Sequence, residues 1–440
     1  MLQSPRTTSL WPAHANAAFW GLGNGLTSTT LATYLARELG AEGLAVGLIV
    51  ASPNLAGILR LAAPPLLRSI GSRKTFAIAT FSLSGVLLLL LPMLAWPGLM
   101  PAQAVSLTVL VTLWGLWHLA MFLGVISLWS WFGDLVPGEV RGKFIGRRQG
   151  WLMAGQVIGM LAAGLFAYWL ARAMPELPRW QPLAFPAMAG AVCMLLAVIP
   201  LVALPSVPLD RRQIGRVSDG LRAFTDRRFL PLLGFWCWAG VANGFSQAAQ
   251  GLFPFALGLP VLAMLALQAG MQVGQAGASP TIGRWADHLG SRRLMIGSQI
   301  LVSAALLFYV PATREAPYWI VGAWILWIAY AGLNVCLPHM MLRLSPGENS
   351  PPYIATYFAL GGLATAISSV VFGAAFDALP RDWHVTIGSA RIDRFQLFFL
   401  GGFALRLSAI GWLWFLPDGP RASASANEFA APLTRTSAGD

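Results

Sequence analysis

The sequence predicts an all-α integral membrane protein, with twelve transmembrane helices arranged as two pseudo-symmetric six-helix bundles. Three observations carry that reading. The 440 residues are 56% hydrophobic and only 10% charged, with a mean hydropathy of +0.64, whereas a soluble domain carries about 25% charged residues. Apolar runs of about 20 residues recur along the chain, each long enough for a hydrocarbon core of about 30 Å. The second half of the chain repeats motifs of the first. In lipid the backbone must satisfy itself within a segment, so the runs should be helices. The short alternating segments of a membrane barrel are missing.

Twelve spans are expected at about 14–36, 43–64, 75–95, 104–132, 149–171, 183–204, 231–257, 260–282, 294–311, 318–341, 354–377 and 394–416. They divide the chain into a bundle at 1–204, a linker at 205–230, a second bundle at 231–417 and a tail at 418–440. In the linker, Ile214, Val217, Leu221 and Phe224 recur at helical spacing among Arg211, Arg212, Arg216 and Arg222. That pattern suits an amphipathic helix lying on anionic lipid. The Ala-, Ser- and Thr-rich tail reads as disordered.

Of the 29 Lys and Arg, 20 fall on the side of the two termini and seven on the other. This bias puts both termini of a multi-pass cell-membrane protein in the cytoplasm. It also explains the net charge of +12 without a nucleic-acid partner, because the cations sit in short loops between apolar runs. The first apolar run reads as a full span without a cleavage site, so no cleaved signal peptide is expected. Cys193, Cys237 and Cys336 fall inside spans without metal or redox spacing and read as apolar fillers. Neither a metal nor a cofactor is expected. There is no zinc motif, nucleophile constellation or phosphate-cradling loop to support an enzyme.

The repeat is specific. Gly21, Asn24 and Gly25 recur 219 residues later as Gly240, Asn243 and Gly244, and Gly71-Ser72-Arg73-Lys74 recurs at the same offset as Gly290-Ser291-Arg292-Arg293. Leu135-Val-Pro-Gly-Glu139 matches Leu344-Ser-Pro-Gly-Glu348 at an offset of 209. Six spans repeated give parallel halves, a plan that transporters use with the site near the midplane.

Through these loops the chain resembles the major facilitator superfamily up to about residue 417. The segment Gly283 to Arg293, GRWADHLGSRR, is similar to the family's loop motif through Gly283, Asp287, Gly290, Arg292 and Arg293. The first-half loop, PPLLRSIGSRK, keeps Gly71, Arg73 and Lys74, but has Pro64 for the first Gly and Arg68 where Asp is expected. After span 4, DLVPGEVRGKFIGRR (Asp134 to Arg148) resembles a third family loop through Pro137, Arg141 and Gly142. The resemblance implies that these residues, with Asp134, form contacts made in one transport state and broken in the other. The alternative is that they only cap helices and set topology.

The resemblance also implies that spans 1, 4, 7 and 10 line a central cavity. In span 7, Asn243, Ser246, Gln247 and Gln250 fall on one helical stripe, and Asn24, Thr27 and Ser28 repeat its start in span 1. Polar side chains deep in a bilayer are costly unless paired or wet, so the stripes mark either a solute path or hydrogen bonds between helices. Span 4 offers Trp114, Trp117 and His118 on one face, suited to a planar solute, a proton switch or a core. Asn334 and Tyr330 are weaker candidates in span 10, and Gln268, Gln272 and Gln275 share a face of span 8. Arg60 either snorkels to the surface or meets an anion; Arg406 is expected to face inward and pair structurally. No carboxylate sits at the centre of any span, which argues against a cation pump built on a buried acid. Gly155 with Gly159, and Gly270 with Gly274, are expected to allow close approach between the halves.

The expected function is therefore transport of a small neutral or anionic organic solute by alternating access, with a co-transported proton compatible and a monomer sufficient. The alternatives are a lipid or lysolipid flippase, or a non-transporting sensor. A flippase needs an apolar lateral opening, and a solute carrier needs an enclosed polar cavity.

Overall fold

The computed structural model describes residues 10–59, 71–94, 99, 102–136, 138–206, 223–344, 350–387 and 390–416. Helices occupy all twelve expected positions. Seven of them, among the described residues, are each long and apolar enough to cross a membrane. Spans 7 and 8, Leu230–Ala256 and Val261–Leu289, have the length but are less apolar. Their amides account for much of that deficit.

Several spans depart from a single continuous helix. Span 1 is two helices, Trp11–Leu26 and Thr29–Glu38. The break falls at Thr27 and Ser28. Thr27 Oγ1 donates to Gly23 O at 2.7 Å, and Ser28 Oγ accepts from Leu31 N as the N-cap of the second helix. Span 10 runs as Trp319–Leu326, a 3-10 turn at Trp327–Ala329, then Tyr330–Leu344. Spans 4 and 8 extend beyond their expected ends, to Leu135 and Leu289, and span 5 begins at Gly138. Most of the motif residues read as loops are thus helix; span 8 continues through Pro280 and ends at Gly290. Between spans 11 and 12 lies a small antiparallel hairpin, His384–Ile387 with Ala390–Asp393, that the sequence did not suggest. Asp393 closes a capping box with Gln396 that starts span 12. The amphipathic linker helix and the tail fall mainly outside the described residues.

The repeat has a packing explanation. A Cβ on Gly21 would lie 2.1 Å from Leu152 O, and one on Gly25 2.2 Å from Gln156 O, so span 1 touches the backbone of span 5. At Gly240 and Gly244 the same hypothetical atom would lie 2.7 Å from Thr365 Oγ1 and 2.6 Å from Thr365 O, so span 7 does the same with span 11. Gly155 and Gly159 complete the span 1–span 5 contact within one half, against Ala18 and Leu22. Gly274 meets Ile328 of its own half and Gly270 meets nothing, which corrects the expectation that these pairs bridge the halves. Glycines that do bridge the halves include Gly164, against Leu262 of span 8, Gly43 and Gly47, against Gly373 and Ser369 of span 11, and Gly251, against Val46 of span 2.

Candidate functional site

Between the halves lies a cavity of about 490 Å³, lined by residues of spans 1, 2, 4, 7, 8, 10, 11 and 12. Its polar wall is built chiefly by span 7, where 3.6-residue periodicity brings Asn243, Gln247 and Gln250 to one side. Tyr330 Oη donates to Asn243 Oδ1 at 3.2 Å, Ser369 Oγ to Gln247 Oε1 at 2.8 Å, and Thr30 Oγ1 to Gln268 Oε1 at 2.8 Å. Each of these amides has its oxygen engaged. Gln250 Nε2 donates to Ser246 Oγ at 2.7 Å. Ser246 itself is fully buried behind the wall. Trp236, Trp324 and Trp327 supply flat apolar surface, the first stacked on Tyr357 at 5.1 Å.

The sequence-predicted site residues divide. Asn243, Gln247 and Gln250 line the cavity. Asn334 is exposed, donates to Gln275 Oε1 at 3.3 Å, and lines a side pocket of about 90 Å³ that shares Asn243 and Tyr330 with the cavity. Asn24 is half-buried and accepts from Gln156 Nε2 of span 5 at 3.2 Å; Thr27 and Ser28 form the break in span 1. The span 4 face packs elsewhere. Trp114 donates its indole N–H to Ile49 O of span 2 at 2.9 Å, His118 Nδ1 lies 3.0 Å from Trp114 O, and the Trp114 and Trp117 rings are 4.7 Å apart. All three are buried in a span 2–span 4 core. Arg60 lies outside the described residues. Sequence reasoning missed Thr30, which is one turn beyond Thr27, and gave no role to Gln268. The amide stripe of span 8 was the available signal for the latter.

The motif glycines behave alike in both halves. Gly71 and Gly290 both hold positive φ, 74° and 85°, where a side chain is strained. Lys74 Nζ donates to Val202 O at 2.8 Å and Leu204 O at 2.6 Å, closing the C-terminal end of span 6. Arg292 Nη1 donates to Leu416 O at 3.2 Å and its guanidinium lies 5.5 Å from the Trp414 ring, closing span 12. Cations suit these carbonyl ends. Arg73 is buried and its carbonyl accepts from Ser127 Oγ, Arg293 is exposed, and Gly283 lies inside the helix of span 8. Asp134, Arg141, Gly142 and Asp287 lie on helices, but their side chains, like Arg68 and Pro137, are outside the described residues.

On the face opposite the Arg-rich loops the halves are clasped. Asp377 of span 11 accepts from the backbone N–H of Gly43 at 2.6 Å and of Leu44 at 2.7 Å, at the start of span 2. A carboxylate there also opposes the positive end of the helix dipole. Arg381 pairs with Glu42 beside it, and Tyr34 Oη donates to Leu259 O at 2.9 Å. Thr30 with Gln268 joins the halves at the cavity, and the remaining inter-half bonds named here lie on this face.

No protein-family model matches the chain, and no curated protein matches it in sequence. Solved structures do. The nucleoside transporter NupG superposes with a TM-score of 0.67 at 14% identity, over 92% of this chain and 98% of the other. A D-xylose–proton symporter superposes at 0.65 and 16% identity, over 92% and 97%. The inward-open xylose transporter XylE from E. coli superposes at 0.65 and 14% identity, over 96% and 99%. This chain has the major facilitator fold. The cavity that holds the amides of spans 7 and 8 lies between the two halves of that fold.

Proposed function

We propose that this major facilitator protein is a secondary transporter, moving a small neutral or anionic organic solute by alternating access between its two six-helix halves. The observation that carries the reading is the amide- and aromatic-lined cavity between halves that are clasped on the face opposite the Arg-rich loops. By the Lys and Arg bias that face is extracytoplasmic, so the arrangement corresponds to a state open toward the cytoplasm, with both termini there. A cavity of about 490 Å³ lies within the size range of small-ligand sites, roughly 300–1,000 Å³. The amides of span 7 with flanking indoles suit a ring that both stacks and hydrogen-bonds. The similar folds named for nucleoside and D-xylose transport fit that chemistry. The polar wall favours an enclosed solute over a lipid tail, with membrane lipids as surroundings. A co-transported proton is compatible with this reading, but His118, the residue the sequence offered as a proton switch, packs on Trp114 away from the cavity.

The test is uptake of radiolabelled uridine, D-xylose and their acidic derivatives into proteoliposomes. Saturable uptake that falls with Gln247→Ala is the expected result. Movement of a labelled phospholipid, with no solute uptake, would replace this reading with a flippase.

A further inference from the structure

Arg406 is the group the transporter reading leaves unused. It lies within span 12, is 3% exposed, and belongs to the lining of the cavity. Its one side-chain partner is Ser246 Oγ at 3.4 Å, long for a charge-assisted bond. That oxygen already accepts from Gln250. Nε and Nη1 have no partner at all. Among the described residues no ion pair reaches Arg406; the pair of Arg381 with Glu42 lies on the clasped face. A guanidinium does not shed its proton to escape burial, and a buried charge without a counter-charge is strongly destabilising. Part of the wall is also rich in donors. Asn243, Gln247 and Gln268 have their oxygens occupied, and the indole N–H groups of Trp236 and Trp327 have no partner.

We infer that the solute carries a compact oxyanion, a carboxylate or a phosphate, that docks on Arg406 while the span 7 amides hold the remainder. The inference rests on the transporter reading of the cavity and narrows its substrate class to anions. It assigns to Arg406 the role that the sequence had offered to Arg60.

Two measurements on the purified full chain in detergent test it. The first is thermal unfolding with matched pairs, D-glucose against D-glucuronate and uridine against uridine monophosphate. At least one acidic member is expected to raise Tm where its neutral twin does not. Arg406→Gln is expected to weaken that binding at least tenfold, and Arg406→Lys to keep part of it. The second needs no ligand. Arg406→Met removes an uncompensated charge while filling the space, so Tm is expected to rise by roughly 2–4 °C. A fall in Tm would make Arg406 a structural pin and overturn the inference. Neutral members that bind as tightly as acidic ones, unaffected by Arg406→Gln, would leave the cavity reading standing and remove the anion. Binding of no probe of either kind would count against both.

Discussion

Span 1 and span 7 share a pattern at an offset of 219 residues and use it differently. Their glycines do the same work: Gly21 and Gly25 seat span 1 on span 5, and Gly240 and Gly244 seat span 7 on span 11. Their polar residues diverge. Span 7 sends Asn243, Gln247 and Gln250 to the cavity, while span 1 uses Asn24 against Gln156 and spends Thr27 and Ser28 on its own helix break. The repeat has kept the packing and released the chemistry, because backbone contact tolerates no substitution whereas a polar position needs only some partner.

The largest effect should come from the shared part. Gly25→Val and Gly244→Val both drive a side chain into the opposing backbone, at a cost of about 3 kcal/mol or more. Expression and thermal unfolding in detergent should report severe loss for both; tolerance of either one would break the equivalence. Next comes the clasp between the halves. Asp377→Asn leaves one acceptor oxygen for the N–H groups of Gly43 and Leu44 and removes the charge from the helix start. About 1–3 kcal/mol of bias is lost, and labelling of a cysteine introduced at Gly251, beneath the clasp, should become faster from the outer side. Unchanged labelling would show that Asp377 does not hold the closed state.

The third prediction separates the two asparagines. Asn243→Ala should lower solute uptake about tenfold, equivalent to about 1.4 kcal/mol, with little effect on Tm. Asn24→Ala should lower stability by about 1 kcal/mol and leave the KM for uptake near its original value. Reversal of those two outcomes would move the site to the first half. The smallest effect is local: Ser28→Ala removes the N-cap of Thr29–Glu38 and should cost about 1 kcal/mol in thermal unfolding.

The positions of the spans and the repeat were legible, because apolar length and recurring short motifs are local signals. The site was legible only in part. The stripe of span 7 and the face of span 4 have the same spacing, yet the first borders a cavity and the second, through Trp114, packs against Ile49. Periodicity says which residues share a face and is silent about what that face meets. Thr27 and Ser28 misled for a related reason: a hydroxyl in an apolar run serves a path or a helix break equally well, and only the backbone at Ser28 decides. Arg406 was expected to find a protein partner; its incomplete pairing depends on where Ser246 and Gln250 already point.

The 3-10 turn at Trp327–Ala329 makes span 10 longer than an unbroken α-helix of the same residues would be. A 3-10 residue advances about 2.0 Å along the axis and an α-helical one about 1.5 Å, so converting these three residues shortens the rod by about 1.5 Å. Trp324 and Trp327, both in the cavity wall, flank or occupy the turn. Winding the turn into α-helix would therefore draw Trp324 and the end of span 10 beyond Ala329 toward each other, with no rotation of either half.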